Sequence, residues 1–288
     1  MKKIKKMGIL LVLLFVLFKA FKYFENSKMV IKDRLLVDFL INRKLDDKKL
    51  NNVFKGLIKI NMPYNDLVSI NSSKVTKIDL VHEEAPFIYL YNTHQGEEYA
   101  SNQFDEYSIK PTVMMPSYIM EDVFNKNNIP AIVEEGSIQE ILNRNKLNYA
   151  GSYKASRYLM EEAKKKYPTL KYFIDIHRDS ISHDKSYISI NRKDYAKILF
   201  IVGMENPNYA LNLKFTETIN NKIDELYPGL SRGIYKKSGI GVNGVYNQDN
   251  NPYTILIEIG GEESTIDEVM NSTLAFIECF IEVIKHEG

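Results

Sequence analysis

"KYFIDIH", residues 171–177, is a short apolar and aromatic run that ends in a histidine. It is too short for an ordinary helix and lies just past Pro168, so it reads as a buried strand. Its apolar residues run on rather than alternating strictly with polar ones. That is the signature of a strand covered on both faces. The same kind of run recurs on either side. "FIYLY" (87–91), "IPAIVEE" (129–135), "SYISI" (186–190), "AKILFIVG" (196–203) and "YTILIEIGG" (253–261) all read as strands, the last closed by two glycines. Between them lie helical stretches at 112–128, 152–168, 208–229 and 265–286. Pro116 falls within the first turns of one, where proline is tolerated. Ser152 opens the next and Pro168 stops it; Pro228-Gly229 stops the third. Apolar strands separated by helices imply an α/β fold, a mostly parallel sheet flanked by helices on both faces.

The N-terminus is unlike this. Lys2, Lys3, Lys5 and Lys6 precede a continuous apolar run from Met7 to Phe18. No small-residue cleavage site follows; Lys19, Phe21, Lys22, Tyr23 and Phe24 do, and such cations and aromatics suit a membrane interface. Residues 1–24 are therefore expected to be an uncleaved signal-anchor, a single transmembrane segment that leaves the body outside the cytoplasm. Residues 25–85 read as a stalk or linker, with Leu35, Leu36, Phe39 and Leu40 at helical spacing, and residues 86–288 as the catalytic domain. The chain has 288 residues, 44% of them hydrophobic, enough for one sizeable core. Its formal net charge of +1 gives no nucleic-acid footprint. The single cysteine, Cys279, excludes an intrachain disulfide and sits among apolar neighbours as a small buried hydrophobe.

Sites in open α/β sheets gather outside the carboxyl ends of strands. His94 follows strand 87–91, His177 ends strand 171–177, and Glu258 lies near the end of strand 253–261. A carboxylate in so apolar a strand costs several kcal/mol unless paired, so Glu258 needs a reason to be there. A catalytic zinc takes three His or acidic ligands and keeps a position for water, and a nearby carboxylate takes that water's proton. His94, Glu97 and His177 can supply the ligands and Glu258 the base. Glu98, Glu106 and Glu134 compete with Glu97 for the acidic ligand. Arg178 could grip a substrate carboxylate. Asp175 or Asp179 could orient a ligand histidine. His183 is a spare candidate, while His82 and His286 have no supporting context.

Several stretches, in order along about two-thirds of the chain, resemble the stage II sporulation protein P family: "YNTHQGEEY" (91–99), "SYKASR" (152–157), "YFIDIHRDS" (172–180), "ILFIVGMENPN" (198–208), "YPGLSRGIY" (227–235), "VYNQD" (245–249) and "LIEIGGEESTIDE" (256–268). The resemblance implies a zinc-dependent N-acetylmuramoyl-L-alanine amidase, with an amidase-like or zinc-peptidase-like fold. It further implies endopeptidase action on stem-peptide cross-links, a role in sporulation engulfment at the sporangial septum, peptidoglycan as substrate, and stage II sporulation proteins D and M as partners. Carried over by motif, His94, Glu97 and His177 become ligands of Zn2+, Glu258 the catalytic carboxylate, and Asn247 joins Arg178 as a substrate-binding residue. The family often has Thr-Ser between the histidine and the glutamate, where this chain has Gln95-Gly96. The rival expectations are a zinc carboxypeptidase or endopeptidase on wall peptides, and a non-enzymatic anchored scaffold.

Overall fold

A computed structural model describes residues 85–100 and 111–285. The expected signal-anchor and nearly all of the stalk lie outside the described residues, as do Glu106, His82 and His286. Among the described residues no helix is long and apolar enough to cross a membrane.

The described residues form eight strands and six α-helices, in chain order β1 (Ile88–Tyr91), α1 (Met114–Lys126), β2 (Ala131–Val133), α2 (Ile138–Arg144), α3 (Ser152–Lys166), β3 (Tyr172–Asp179), α4 (His183–Ser186), β4 (Tyr187–Ile190), β5 (Lys193–Ala196), β6 (Ile198–Gly203), α5 (Tyr209–Leu226), β7 (Ser231–Lys237), β8 (Thr254–Gly261) and α6 (Ile266–Lys285). Six strands form one sheet in the order β2-β1-β3-β8-β6-β7, and β4 and β5 pair as a separate two-stranded ribbon. Four of the five pairings in the large sheet are parallel; β6 runs antiparallel to β8. The expected strand over 196–203 is two elements, because the chain leaves the ribbon at Ala196 and enters the sheet at Ile198. Strand β7 and helix α2 were not expected. The sequence of β7, "SRGIYKK", lies at the sheet's edge and is only partly buried, so it has no apolar run to give it away.

The period of two along each strand sorts the core into two sides. Ile88, Leu90, Ile174, Ile176, Ile255, Ile257, Ile198 and Phe200 face α1, α5 and α6 in the main core. Tyr172 and Phe280 meet edge to face at 5.5 Å there. The opposite face carries Tyr89, Tyr91 and Phe173 against Met160 and Ala163 of α3. Further along the sheet it carries Leu199, Ile201 and Leu256 beneath Tyr246. Asp175, His177 and Glu258 sit on this second face by the same alternation. The carboxyl ends of β1, β3 and β8 meet the amino ends of β6 and β7 at one edge of the sheet. Gly260 helps to shape that edge. Its φ is +71°, and a Cβ there would run into the Ser264 side chain.

Candidate active site

His177 and Glu258 are register partners on the neighbouring parallel strands β3 and β8. Their Cα atoms are therefore one strand spacing apart, roughly 4.8 Å, with both side chains on the same face. His94 reaches the same point from the loop after β1. Its ring meets that of His177 edge to face, with centroids 5.2 Å apart. Glu97, one turn further along the loop, brings Oε2 to 3.4 Å from His177 Nδ1 and accepts the Arg178 backbone N–H at 3.1 Å. Asp175, fully buried, lies behind: its Oδ1 is 3.0 Å from His177 Nε2, off the line of a well-aligned hydrogen bond. Two tyrosines from the start of α3 and the turn before it wall the site. Tyr149 stacks on His94 with centroids 4.6 Å apart, and Tyr153 meets His94 edge to face. Tyr149 is 65% exposed, so one face of its ring is open to solvent.

The electrostatics follow from this crowding. Burial alone would strip the proton from His177, but the charge and contact of Asp175, with Glu97 behind, push it up to about 10. His94 shifts the other way, because burial and the neighbouring His177 both disfavour its charged form against the weaker pull of Glu97 and Asp175. Burial works to raise Glu97, yet the contact and charge of His177, the Arg178 N–H and His94 bring it below the ordinary range. Glu258 is pushed up to about 7, first by burial, then by the charge of Asp179, with His177 and Lys237 opposing and Glu97 adding.

A tetrahedral zinc with bonds of about 2.1 Å sets neighbouring donor atoms about 3.4 Å apart. That is the separation of His177 Nδ1 and Glu97 Oε2. His94 Nδ1 is buried and has no hydrogen-bond partner, as befits an atom waiting for an electron-pair acceptor. Among the described residues no three His, Cys, Asp or Glu side chains already stand at metal-holding positions. On donor chemistry and on these two observations the residues fit such an ion.

A profile of the family described as Stage II sporulation protein P (SpoIIP) matches residues 42–281. This chain belongs to the stage II sporulation protein P family. The stage II sporulation protein P of Bacillus subtilis (strain 168) is 33% identical over 202 residues, which are 68% of this chain and 50% of that one. The chain thus spans about half the length of that relative. A solved structure, the CwlD amidase from Clostridioides difficile in complex with the GerS lipoprotein, covers 69% of this chain and 98% of its own, with a TM-score of 0.46 and 11% identity.

In this stage II sporulation protein P family member the other expected residues land in different roles. Glu134 accepts hydrogen bonds from the Tyr89 hydroxyl at 2.7 Å and the Gly136 N–H at 2.6 Å, and so ties down the end of β2. Glu98 pairs with Thr112 in an isolated bridge, and its carbonyl accepts from Arg178 Nε at 3.0 Å. Arg178 also leans on the Asp179 carbonyl and the Ser180 hydroxyl. Through Nε its guanidinium braces the 94–98 loop. Asn247 is buried, and its Nδ2 donates to the Tyr153 carbonyl and to Ser156 Oγ, both at 2.9 Å. Asp179 is held by Arg232 at 2.7 Å. His183 contacts Glu268 at 2.9 Å, at the start of α6. Thr93, Tyr149, Tyr153 and Ser156 were not expected at the site. All but Tyr149 lie inside the stretches that carry the family resemblance, but none is charged or a usual ligand, so nothing in composition or spacing marks them.

Proposed function

We propose that the chain is a zinc-dependent N-acetylmuramoyl-L-alanine amidase that cleaves peptidoglycan between the lactyl group of muramic acid and L-alanine. The observation that carries this reading is the meeting of His94, Glu97, His177 and Glu258 at one sheet edge, in a chain of the stage II sporulation protein P family. Zn2+ held by His94, Glu97 and His177 would polarise the amide carbonyl and acidify the attacking water. Glu258 accepts a proton from that water as its oxygen bonds to the carbonyl carbon. The C–N bond then breaks, and Glu258 returns the proton to the departing L-alanine nitrogen, leaving a lactyl carboxylate and a free amine. In the metal-free protein burial pushes this carboxyl up to about 7. The open face of Tyr149 offers an apolar surface beside the reacting atoms.

The same reading includes sporulation engulfment as the setting, anchoring by residues 1–24 with the catalytic body outside the cytoplasm, and stage II sporulation proteins D and M as partners. The family membership supports the first and the last; the basic and apolar opening of the sequence supports the anchor.

The test is a digest of purified peptidoglycan by the full chain, with and without a chelator, read by mass spectrometry. Stem peptides with a free L-alanine amine, lost with chelator, are expected. Release of single terminal amino acids would replace this reading with a carboxypeptidase. Products unaffected by chelator would remove the zinc. If no product forms even with protein D added, a scaffold takes the amidase's place.

A further inference from the structure

A line of neutral polar groups runs away from the site into the protein. Asp175 lies between two neighbours. On one side Oδ1 approaches His177 Nε2; on the other, Oδ1 accepts the Thr93 N–H at 2.9 Å and Oδ2 the Thr93 hydroxyl at 2.7 Å. Thr93 Oγ1 lies 2.9 Å from Ser156 Oγ on α3, and Ser156 Oγ accepts from Asn247 Nδ2 at 2.9 Å. Asp175 and Thr93 are fully buried, and Ser156 is 2% exposed.

A hydroxyl has a single proton to donate, and a carboxylate only accepts. The Thr93 proton therefore goes to Asp175, the Ser156 proton has Thr93 Oγ1 at 2.9 Å and the Tyr153 carbonyl at 3.2 Å as acceptors, and the amide of Asn247 donates to Ser156 Oγ. At the end of the line Asp175 Oδ1 stands 3.0 Å from His177 Nε2, and the other ring nitrogen, Nδ1, faces Glu97 Oε2 at 3.4 Å. The backbone supports the far end at some cost. Tyr246 and Asn247 are both left-handed, with φ of 52° and 57°, a conformation that asparagine tolerates and tyrosine resists.

We infer that Asn247, Ser156 and Thr93 form, with Asp175, a buried positioning chain that fixes the His177 ring so that Nδ1 is its ligating nitrogen. This rests on the zinc reading and extends it. Outer partners of a ligating histidine set its tautomer and orientation, and losing one costs about 10–100-fold in metal affinity. Asn247 then acts on the site through the protein rather than on substrate.

The test uses the purified full chain, with Zn2+ affinity read by competition with a chromophoric chelator and ligand geometry read from the visible spectrum of bound Co2+. Thr93→Val keeps the shape and removes the hydroxyl. It is expected to weaken Zn2+ by about 10–100-fold and to alter the Co2+ spectrum. Thr93→Ser restores the hydroxyl and should restore both. Ser156→Ala, on a different element from any ligand, should weaken Zn2+ by a smaller factor, and it decides the matter alone if Thr93→Val does not fold. Wild-type affinity and spectrum in both Thr93→Val and Ser156→Ala would overturn the chain, as would a Thr93→Ser variant no better than Thr93→Val. A wild-type protein that binds neither ion overturns the zinc reading itself and takes this inference with it.

Discussion

Burial, helped by the charge of Asp179 and opposed by His177 and Lys237, raises the Glu258 carboxyl from an ordinary value to about 7. A raised carboxyl pKa means that folding favours the protonated form. The stability this brings is fully present below the unfolded value of about 4.5 and is lost as pH rises through about 7. At pH 8 the ionised group costs the metal-free protein about 3 kcal/mol relative to a neutral side chain. Glu258→Gln should therefore raise the Tm of the metal-free protein at pH 8 and leave it nearly unchanged at pH 4, as scanning calorimetry at the two pH values can check. The same variant should lose hydrolysis by about 100- to 10,000-fold, since the group that moves the proton is gone. A gain in stability joined to a loss of activity is the mark of a residue kept for chemistry. An ordinary salt-bridge partner would lose stability when neutralised. His177 and Glu258 were both legible at this scale, because an ionisable side chain in an apolar strand needs an explanation. Thr93, Ser156 and Asn247 were not, because neutral polar residues are common and their meaning lies wholly in what they touch.

Elements depend on their ends. Helix α6 begins with Thr265 and Glu268 in reciprocal contact: the Glu268 side chain accepts the Thr265 N–H at 3.1 Å, and Thr265 Oγ1 accepts the Glu268 N–H at 3.3 Å. This capping box satisfies two backbone donors that would otherwise lack partners. It also places Glu268 where His183 can reach it, which ties the segment after β3 to the start of α6. Thr265→Ala should cost about 1 kcal/mol, read as a fall in the urea midpoint without a change in slope. Helix α2 shows the same logic on a smaller scale, with the Ser137 side chain accepting the Glu140 N–H at 3.2 Å. The long helices and the apolar strands were legible because their periodicity is set by burial. Strand β7 was not, because an edge strand has neither two buried faces nor a second neighbour to demand apolar residues. The direction of β6 was also illegible. Its apolar sequence says that it is buried, while the β4–β5 ribbon before it delivers the chain to the site end of the sheet and so reverses its run.

Across the whole molecule, Phe280 joins what the sequence keeps apart. From α6 it meets Phe124 of α1, Tyr172 of β3 and Phe215 of α5, with ring centroids 5.5–6.2 Å apart. Phe280→Ala should cost about 3–5 kcal/mol and lower the Tm of the entire domain, checked by calorimetry and by near-ultraviolet dichroism. Zn2+ affinity should fall much less than in Thr93→Val, because the site lies on the other face of the sheet. By itself the sequence determined which segments are buried, that strands and helices alternate into an α/β sheet, and that His94, His177 and Glu258 stand at strand ends. Those facts follow from local pattern, because burial selects residues one position at a time. Only the tertiary structure decided that His177 and Glu258 are neighbours in register, that Glu97 rather than Glu134 faces His177, that Arg178 bonds to the Glu98 carbonyl and that Asn247 bonds to helix α3. Each of these joins residues from about 40 to more than 90 positions apart, and strand order and register, which no local pattern encodes, bring them together.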